Sequence, residues 1–228
     1  MPTAIVTGGS RGFGHALVEV LVGAGWTVVV DGRSAGPLAE LARKLGPAVQ
    51  AVPGDVTSPD HRHALVNAAG ADLSLIVNNA GALGPSPLPR LAVLDLGALE
   101  ELYRTNVAAP LGLVQAGLAV LRNNQGAVIN VTSDAAVEAY EGWGAYGSSK
   151  AALDQVTRVL AEEEPGVRFW SFDPGDMRTD MHQAAFPGED ISDRPLPGSV
   201  APAVLALLKR RLPSGRVRAA DLLAAVQA

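Results

Sequence analysis

A doubly wound parallel α/β sheet with helices on both faces is the fold class that the sequence predicts, and three observations carry it. Short β-branched runs that are apolar throughout alternate with longer amphipathic stretches. A glycine-rich turn joins the first such run to the first amphipathic stretch. No Pro/Gly/Ser-rich linker or charge run divides the 228 residues, so residues 1–228 read as one domain. Strands that are apolar on both faces belong to sheets covered on both sides, and the helices between them supply the right-handed crossovers that parallel pairing needs.

In order along the chain, TAIVT at 3–7 is the first strand and a helix begins near Gly12. WTVVVD and then the helical PLAELARKL form the second unit, AVQAV and a helix over 58–69 the third. LSLIVN is followed by helices across about 90–123, GAVINVTS by a helix over 144–163, and VRFWSF is the sixth strand. Runs of this length bounded by turn residues are strand-like, and their alternation with helices makes βαβ units. In such sheets ligands bind beyond the carboxyl ends of the strands, so the residues just after each strand are the functional candidates. After residue 180 the pattern loosens into FPGEDISDRPLPGS, whose composition is that of a lid or substrate loop over about 180–200. A helix near 200–211, a short GRVRA strand and an Ala-rich tail follow.

Composition excludes several function classes. A formal net charge of −5 gives no basic footprint for nucleic acid. No apolar run is long enough to span a bilayer, and MPTAIVTGG enters structure without a basic n-region or cleavage site. The expectation is a cytoplasmic protein without a membrane partner. With no cysteine, thiolate nucleophiles, disulfides and Cys-ligated metals are excluded. His61 and His63 are two residues apart on the helical PDHRHALVNAAG and point in different directions, so they read as solvated helix histidines and no metal site is expected.

Chemistry enters at the strand ends. TGGSRGFG, residues 7–14, lies between the first strand and a helix, where glycines let the chain turn tightly and present helix N-terminal amides to a pyrophosphate. Gly8, Ser10, Arg11, Gly12, Phe13 and Gly14 are therefore cofactor candidates. Further along, Tyr146 and Lys150 stand four residues apart on a helix and share a face. A free phenol titrates near pH 10 and is a sluggish proton shuttle at neutrality. A fixed ammonium beside it stabilises the phenolate and lowers that value.

The spacing Gly8-x-x-x-Gly12-x-Gly14 resembles that of the classical short-chain dehydrogenase/reductases, and other strand ends agree. NNAG follows the fourth strand as Asn78, Asn79, Ala80 and Gly81, Asn106 lies in YRTNV, and INVTS ends at Ser133, thirteen positions before Tyr146. DPGDMRT carries Pro174, Gly175 and Thr179 in the family's P-G-x-x-x-T. These motifs, in family order, cover about residues 3–181.

The resemblance implies a Rossmann-like sheet and an NAD(P)-dependent oxidoreductase that interconverts a carbonyl and an alcohol on a small molecule. Tyr146 would be the general acid/base, Ser133 would hydrogen-bond the reacting oxygen, and Lys150 would tune the phenol and hold nicotinamide ribose hydroxyls. Asn106 would order a water near the lysine. Asn79, Ala80, Gly81, Pro174, Gly175 and Thr179 join the cofactor contacts, with Asp55 and Val56 of GDVT at the adenine end. GD before a helix is also an ordinary turn and cap, and Asn78 and Asn79 also serve to hold neighbouring backbone. In VVVDGRS the family's NAD-selecting acid falls at Gly32, while Arg33 stands where a basic residue clasps the 2′-phosphate of NADP, with Arg11 as the second such site. An arginine fork suits phosphate. NADP(H) is thus the expected nucleotide, and Asp31, an acid near the ribose, keeps NAD(H) as the alternative. A non-catalytic nucleotide sensor of the same fold is the other reading; it would have lost Tyr146 or Lys150, which this chain keeps. Tyr140, Trp143, Met177, Met181, His182 and Phe186 are candidates for an apolar to moderately polar substrate pocket. The family's usual V-D-G-G end, which helps build tetramers, is replaced by SGRVRAADLLAAVQA, so a homodimer is expected before a tetramer.

Overall fold

The computed structural model describes residues 1–227, with side chains through residue 225. Seven strands, β1 (Thr3–Val6), β2 (Thr27–Gly32), β3 (Val49–Pro53), β4 (Leu73–Asn78), β5 (Ala127–Val131), β6 (Arg168–Asp173) and β7 (Gly215–Arg218), form one sheet in the order β3-β2-β1-β4-β5-β6-β7. Every pairing is parallel. The strand order reverses between β1 and β4, which opens a crevice above their carboxyl ends. The fold is Rossmann-like, as the alternation of apolar runs predicts.

Side-chain alternation along each strand feeds two cores. Ala4, Val6, Val28, Val30, Trp170 and Phe172 face α1 (Gly12–Gly23), α2 (Ala35–Leu45), α9 (Pro202–Arg210) and α10 (Ala219–Gln227), packing with Leu17, Leu21, Leu38 and Leu207. Ile5, Val29, Ile76, Val128 and Phe169 face the opposite way, onto α3 (Pro59–Ala69), α5 (Ala109–Asn123) and α6 (Gly144–Glu163), and meet Leu65, Leu113, Leu121 and Leu160. A helix on each face is what strands without a polar side require.

Two local features depart from a plain reading of periodicity. The helical region at 90–123 is divided into α4 (Leu96–Tyr103), a π turn over Arg104–Ala108 and α5. The wide turn turns Asn106 inward, where it is fully buried. The segment expected as a lid or substrate loop over about 180–200 contains α7 (Asp180–Ala185) and a one-turn α8 (Pro197–Val200). The final residue, Ala228, lies outside the described residues. Among the described residues no helix is long and apolar enough to cross a membrane, and none group as three or more metal-holding side chains.

Candidate active site

The crevice holds a cleft of about 750 Å³ that runs from the glycine turn to Tyr146 and Trp143. Gly8, Ser10, Arg11, Gly12, Phe13, Arg33, Asp55, Val56, Asn79, Ala80, Gly81, Ser133, Tyr146, Lys150, Pro174, Gly175 and Thr179 all line it. Gly14 and Asn106 do not; both work from behind.

Gly14 shows why the first turn needs glycine. A Cβ there would stand 2.4 Å from Asn79 Nδ2 and 2.6 Å from the Gly8 carbonyl, closer than real Cβ contacts come. Gly8 has φ +68° and Gly12 φ +59°, in the left-handed region. The turn is held by polar bonds from β1 and β4: Asn79 Nδ2 donates to the Thr7 and Gly8 carbonyls at 2.8 and 3.2 Å, while the Thr7 hydroxyl accepts from the amides of Asn79 and Ala80, both at 3.0 Å. Asn79 thus serves the backbone-holding role that its strand-end position suggests. No side chain caps the N-terminus of α1 and no acid sits in its first turn. Its free amides, at the positive end of the helix dipole, suit an anion. Together with the rim arginines this donor set fits a dinucleotide.

Asp31 lines the cleft at the end of β2 with both carboxylate oxygens engaged. It is buried, its Oδ1 accepts the Gly8 amide at 2.6 Å, and its Oδ2 lies 3.1 Å from His61 Nε2. His61 is accordingly mostly buried, which corrects the reading of it as a solvated histidine; His63 is exposed. The pair was invisible in the sequence because it joins β2 to α3, thirty residues apart. Arg33 remains exposed at the rim, near enough to help hold the Asp55 carboxyl below its usual range after the hydrogen bonds from Thr57. Those Thr57 bonds, from amide and hydroxyl at 2.8 Å, make GDVT a tight turn as well as a cleft wall. Arg11 reaches across the cleft mouth to Asp180 of α7 at 2.9 Å.

At the other end, α6 delivers Tyr146 and Lys150 side by side. Lys150 Nζ donates to the Val131 carbonyl at 2.8 Å and lies 5.6 Å from the centre of the Tyr146 ring. Burial draws the ammonium down to about 8, against a smaller upward pull from Asp154. Burial also raises the phenol above its ordinary value, assisted by the negative charges of Asp173 and Asp134 and opposed by the Ser133 hydroxyl. The sequence predicts a phenol lowered by Lys150 and a bound oxidised nicotinamide; without the nucleotide, desolvation is the largest influence on it. Ser133, just beyond β5, donates to Asp134 Oδ1 at 2.9 Å. The Asn106 carboxamide is committed to Ala82, accepting its amide at 2.8 Å and donating to its carbonyl at 2.9 Å, and donates to Ser149 Oγ at 3.0 Å. It fastens the segment after β4 to α6.

Trp143, Met177, Met181 and His182 line the cleft beside Tyr146. Phe186 packs behind, 5.8 Å from Trp143 and 4.9 Å from His182. Tyr140 is 46% exposed and donates to Asp134 at 3.1 Å, so it lies outside the pocket it was expected to line. Sequence reading missed the support that Thr7 gives the glycine turn and the pairing of Asp31 with His61; Thr7 and Asp31, both at strand ends, had a positional signal, and His61 had none.

The short chain dehydrogenase family model matches residues 2–190. An uncharacterized oxidoreductase of Saccharomyces cerevisiae is 39% identical over 78% of this chain and 71% of its own. Sepiapterin reductase of Xenopus laevis is 38% identical over 79% and 75%. The crystal structure of an alcohol dehydrogenase from the archaeon Thermococcus sibiricus, complexed with 5-hydroxy-NADP, superposes with a TM-score of 0.85 at 27% identity, covering 96% of this chain and 95% of that one. The chain belongs to the short-chain dehydrogenase/reductase family. It is an NAD(P)-dependent enzyme acting on CH–OH or C=O groups.

Proposed function

We propose that this enzyme uses NADP(H) to interconvert a carbonyl and a secondary alcohol on a small apolar or aromatic molecule, with Tyr146 as general acid/base. The observation that carries the reading is the meeting of a buried phenol, a buried ammonium and a strand-end hydroxyl on one wall of a cleft that begins at the glycine turn. The amides at the start of α1, with Ser10 and Gly12, would hold the pyrophosphate, and Asp55 and Val56 would flank the adenine. Asn79 to Gly81, Lys150, Pro174, Gly175 and Thr179 would surround the nicotinamide half. When bound, the nicotinamide supplies or accepts the hydride.

The chain's own residues handle the proton. Tyr146, kept protonated by burial, gives its phenolic hydrogen to the carbonyl oxygen in reduction and recovers one from the hydroxyl in oxidation. Ser133 Oγ exchanges its bond to Asp134 for one to the same oxygen and stabilises its developing charge. The Lys150 ammonium favours the phenolate left behind. Asn106 keeps the cleft wall after β4 in register with α6.

NADP(H) over NAD(H) is supported by the engagement of Asp31 with Gly8 and His61, which removes the acid that would bind ribose hydroxyls, and by the exposed Arg33 at the rim. The relative solved with an NADP derivative agrees in class. The segment 180–200 acts as the substrate loop of a single domain: Met181, His182, Ala185 and Leu196 reach the cleft from it. The test is loss of NADPH absorbance against a panel of aliphatic, cyclic and aromatic ketones and aldehydes, with NADH in parallel. Turnover of apolar or aromatic members with NADPH supports the reading; tight nucleotide binding with no turnover across the panel overturns it.

A further inference from the structure

β7 lies at the edge of the sheet and carries a residue that the mechanism above does not use. Arg216 is opposite Ser171 in the β6–β7 register, and its side chain is only 26% exposed. Its Nη1 donates to Asp154 Oδ2 at 2.6 Å and, at 3.4 Å, to Thr132 Oγ1. Its Nη2 donates to Asp173 Oδ2 at 2.8 Å and to the Ser133 carbonyl at 3.0 Å. Each partner leads into the site. Asp154 is one turn beyond Lys150 and two beyond Tyr146 on α6. Ser133 carries the hydroxyl proposed to meet the reacting oxygen. Asp173 passes the contact on, because its Oδ1 accepts the Gly175 amide at 3.0 Å.

We infer that Arg216 is a positioning residue for the reaction: one guanidinium holds Ser133, the Tyr146–Lys150 helix and the Pro174–Gly175 turn in a single register and neutralises two carboxylates behind the phenol. The inference rests on the assignment of Tyr146 as the acid. An ammonium could not replace it, since only the planar fork presents parallel donors to two carboxylates and a carbonyl together. The charges around the site make the neutralising role concrete. Asp173 and Asp134 both disfavour the Tyr146 phenolate, Asp154 faces Lys150, and burial raises the Asp173 carboxyl above its ordinary value, opposed by the Gly175 amide and by Arg216. Without Arg216, the two largely buried carboxylates Asp154 and Asp173 lose the guanidinium that bonds both, leaving Lys150 to act on Asp154 and the exposed Arg218 on Asp173.

The experiment compares Arg216→Gln and Arg216→Lys with wild type in oxidation of the alcohol whose ketone or aldehyde is reduced fastest in the panel, following kcat, KM and the pH profile, with Tm as a check on folding. Arg216→Gln is expected to lower kcat at least about tenfold with little change in KM, and to move the rising limb of the profile up by about one pH unit, the scale of one uncompensated nearby charge. Arg216→Lys is expected to keep the limb near its wild-type position while kcat still falls, because charge is retained and the fork is lost. If Arg216→Gln does not fold, Arg216→Lys decides together with Asp154→Asn/Arg216→Gln, which removes a stranded carboxylate with the cation. Wild-type kcat and an unmoved limb in the folded variants overturn the inference, as does a fall in Tm with no change in either. Tyr146→Phe in the same assay separates the two readings: if it is inactive while the Arg216 variants behave as wild type, only the arginine inference fails. If Tyr146→Phe remains active, the acid assignment fails first and takes the inference with it.

Discussion

Replacing Lys150 by Met keeps a long unbranched side chain on α6 and removes its charge, and the expected signature is a stability difference that changes with pH. Lys150 Nζ is buried and its one hydrogen bond goes to the neutral Val131 carbonyl. Burial therefore lowers its pKa from 10.5 to about 8, whereas in the unfolded chain the lysine titrates at its ordinary value. Between those two values the unfolded chain holds a proton that the native protein does not, so wild-type stability rises with pH across that interval. At 1.36 kcal/mol per pH unit the rise is about 3 kcal/mol. Below about pH 8 both states are protonated and the difference between wild type and Lys150→Met is flat; it climbs in favour of wild type up to pH 10.5 and is flat again above. Urea unfolding of both proteins at intervals from about pH 7 to about pH 11 measures it, because other titrations cancel between them. A difference that stays constant, or that falls as pH rises, would refute the buried cation. The same variant should lose most turnover, since the charge that favours the phenolate is gone.

Three further outcomes follow from the geometry. Arg33→Ala should weaken NADPH binding about tenfold and leave NADH nearly unchanged, a charge-assisted contact being worth roughly 1.5–3 kcal/mol; equal losses for both nucleotides in a binding titration would exclude a 2′-phosphate contact. Asp31→Ala should weaken both nucleotides by a similar factor of about ten, because the Gly8 amide loses its 2.6 Å acceptor. A loss confined to NADH would return Asp31 to the ribose. Gly14→Ala should lower stability by about 1–3 kcal/mol through overpacking against Asn79 and Gly8, read as a fall in Tm, and an unchanged Tm would mean the turn is looser than its contacts.

The sequence revealed the sheet and the motif-bearing strand ends because their signals are local: an apolar run, a glycine turn, a helix with Tyr146 and Lys150 four apart. What it could not reveal depends on strands brought together by crossovers. Asp31 alone left ribose binding open as the alternative to NADP(H); only the adjacency of β2 and α3 shows it bonded to Gly8 and His61. Arg216 sits in a short edge strand whose sequence carries no motif, and its partners come from three other elements. The lowering of the phenol by Lys150 and a bound nicotinamide was legible in the sequence, whereas the depth of burial that raises it in the protein alone was not. Tyr140, close in sequence to the site, escapes the pocket because the turn before α6 directs it to Asp134 and solvent.

The assignment of Tyr146 is tested most directly by Tyr146→Phe, which removes one hydroxyl from a buried helix face and leaves the ring packing on Trp143. Measured against the carbonyl reduced fastest by wild type, kcat should fall by at least about 10²–10⁴-fold, the usual contribution of a general acid. NADPH affinity and Tm should stay close to wild type. Turnover retained within a few-fold, at unchanged nucleotide affinity, would contradict the account and place the proton on another group.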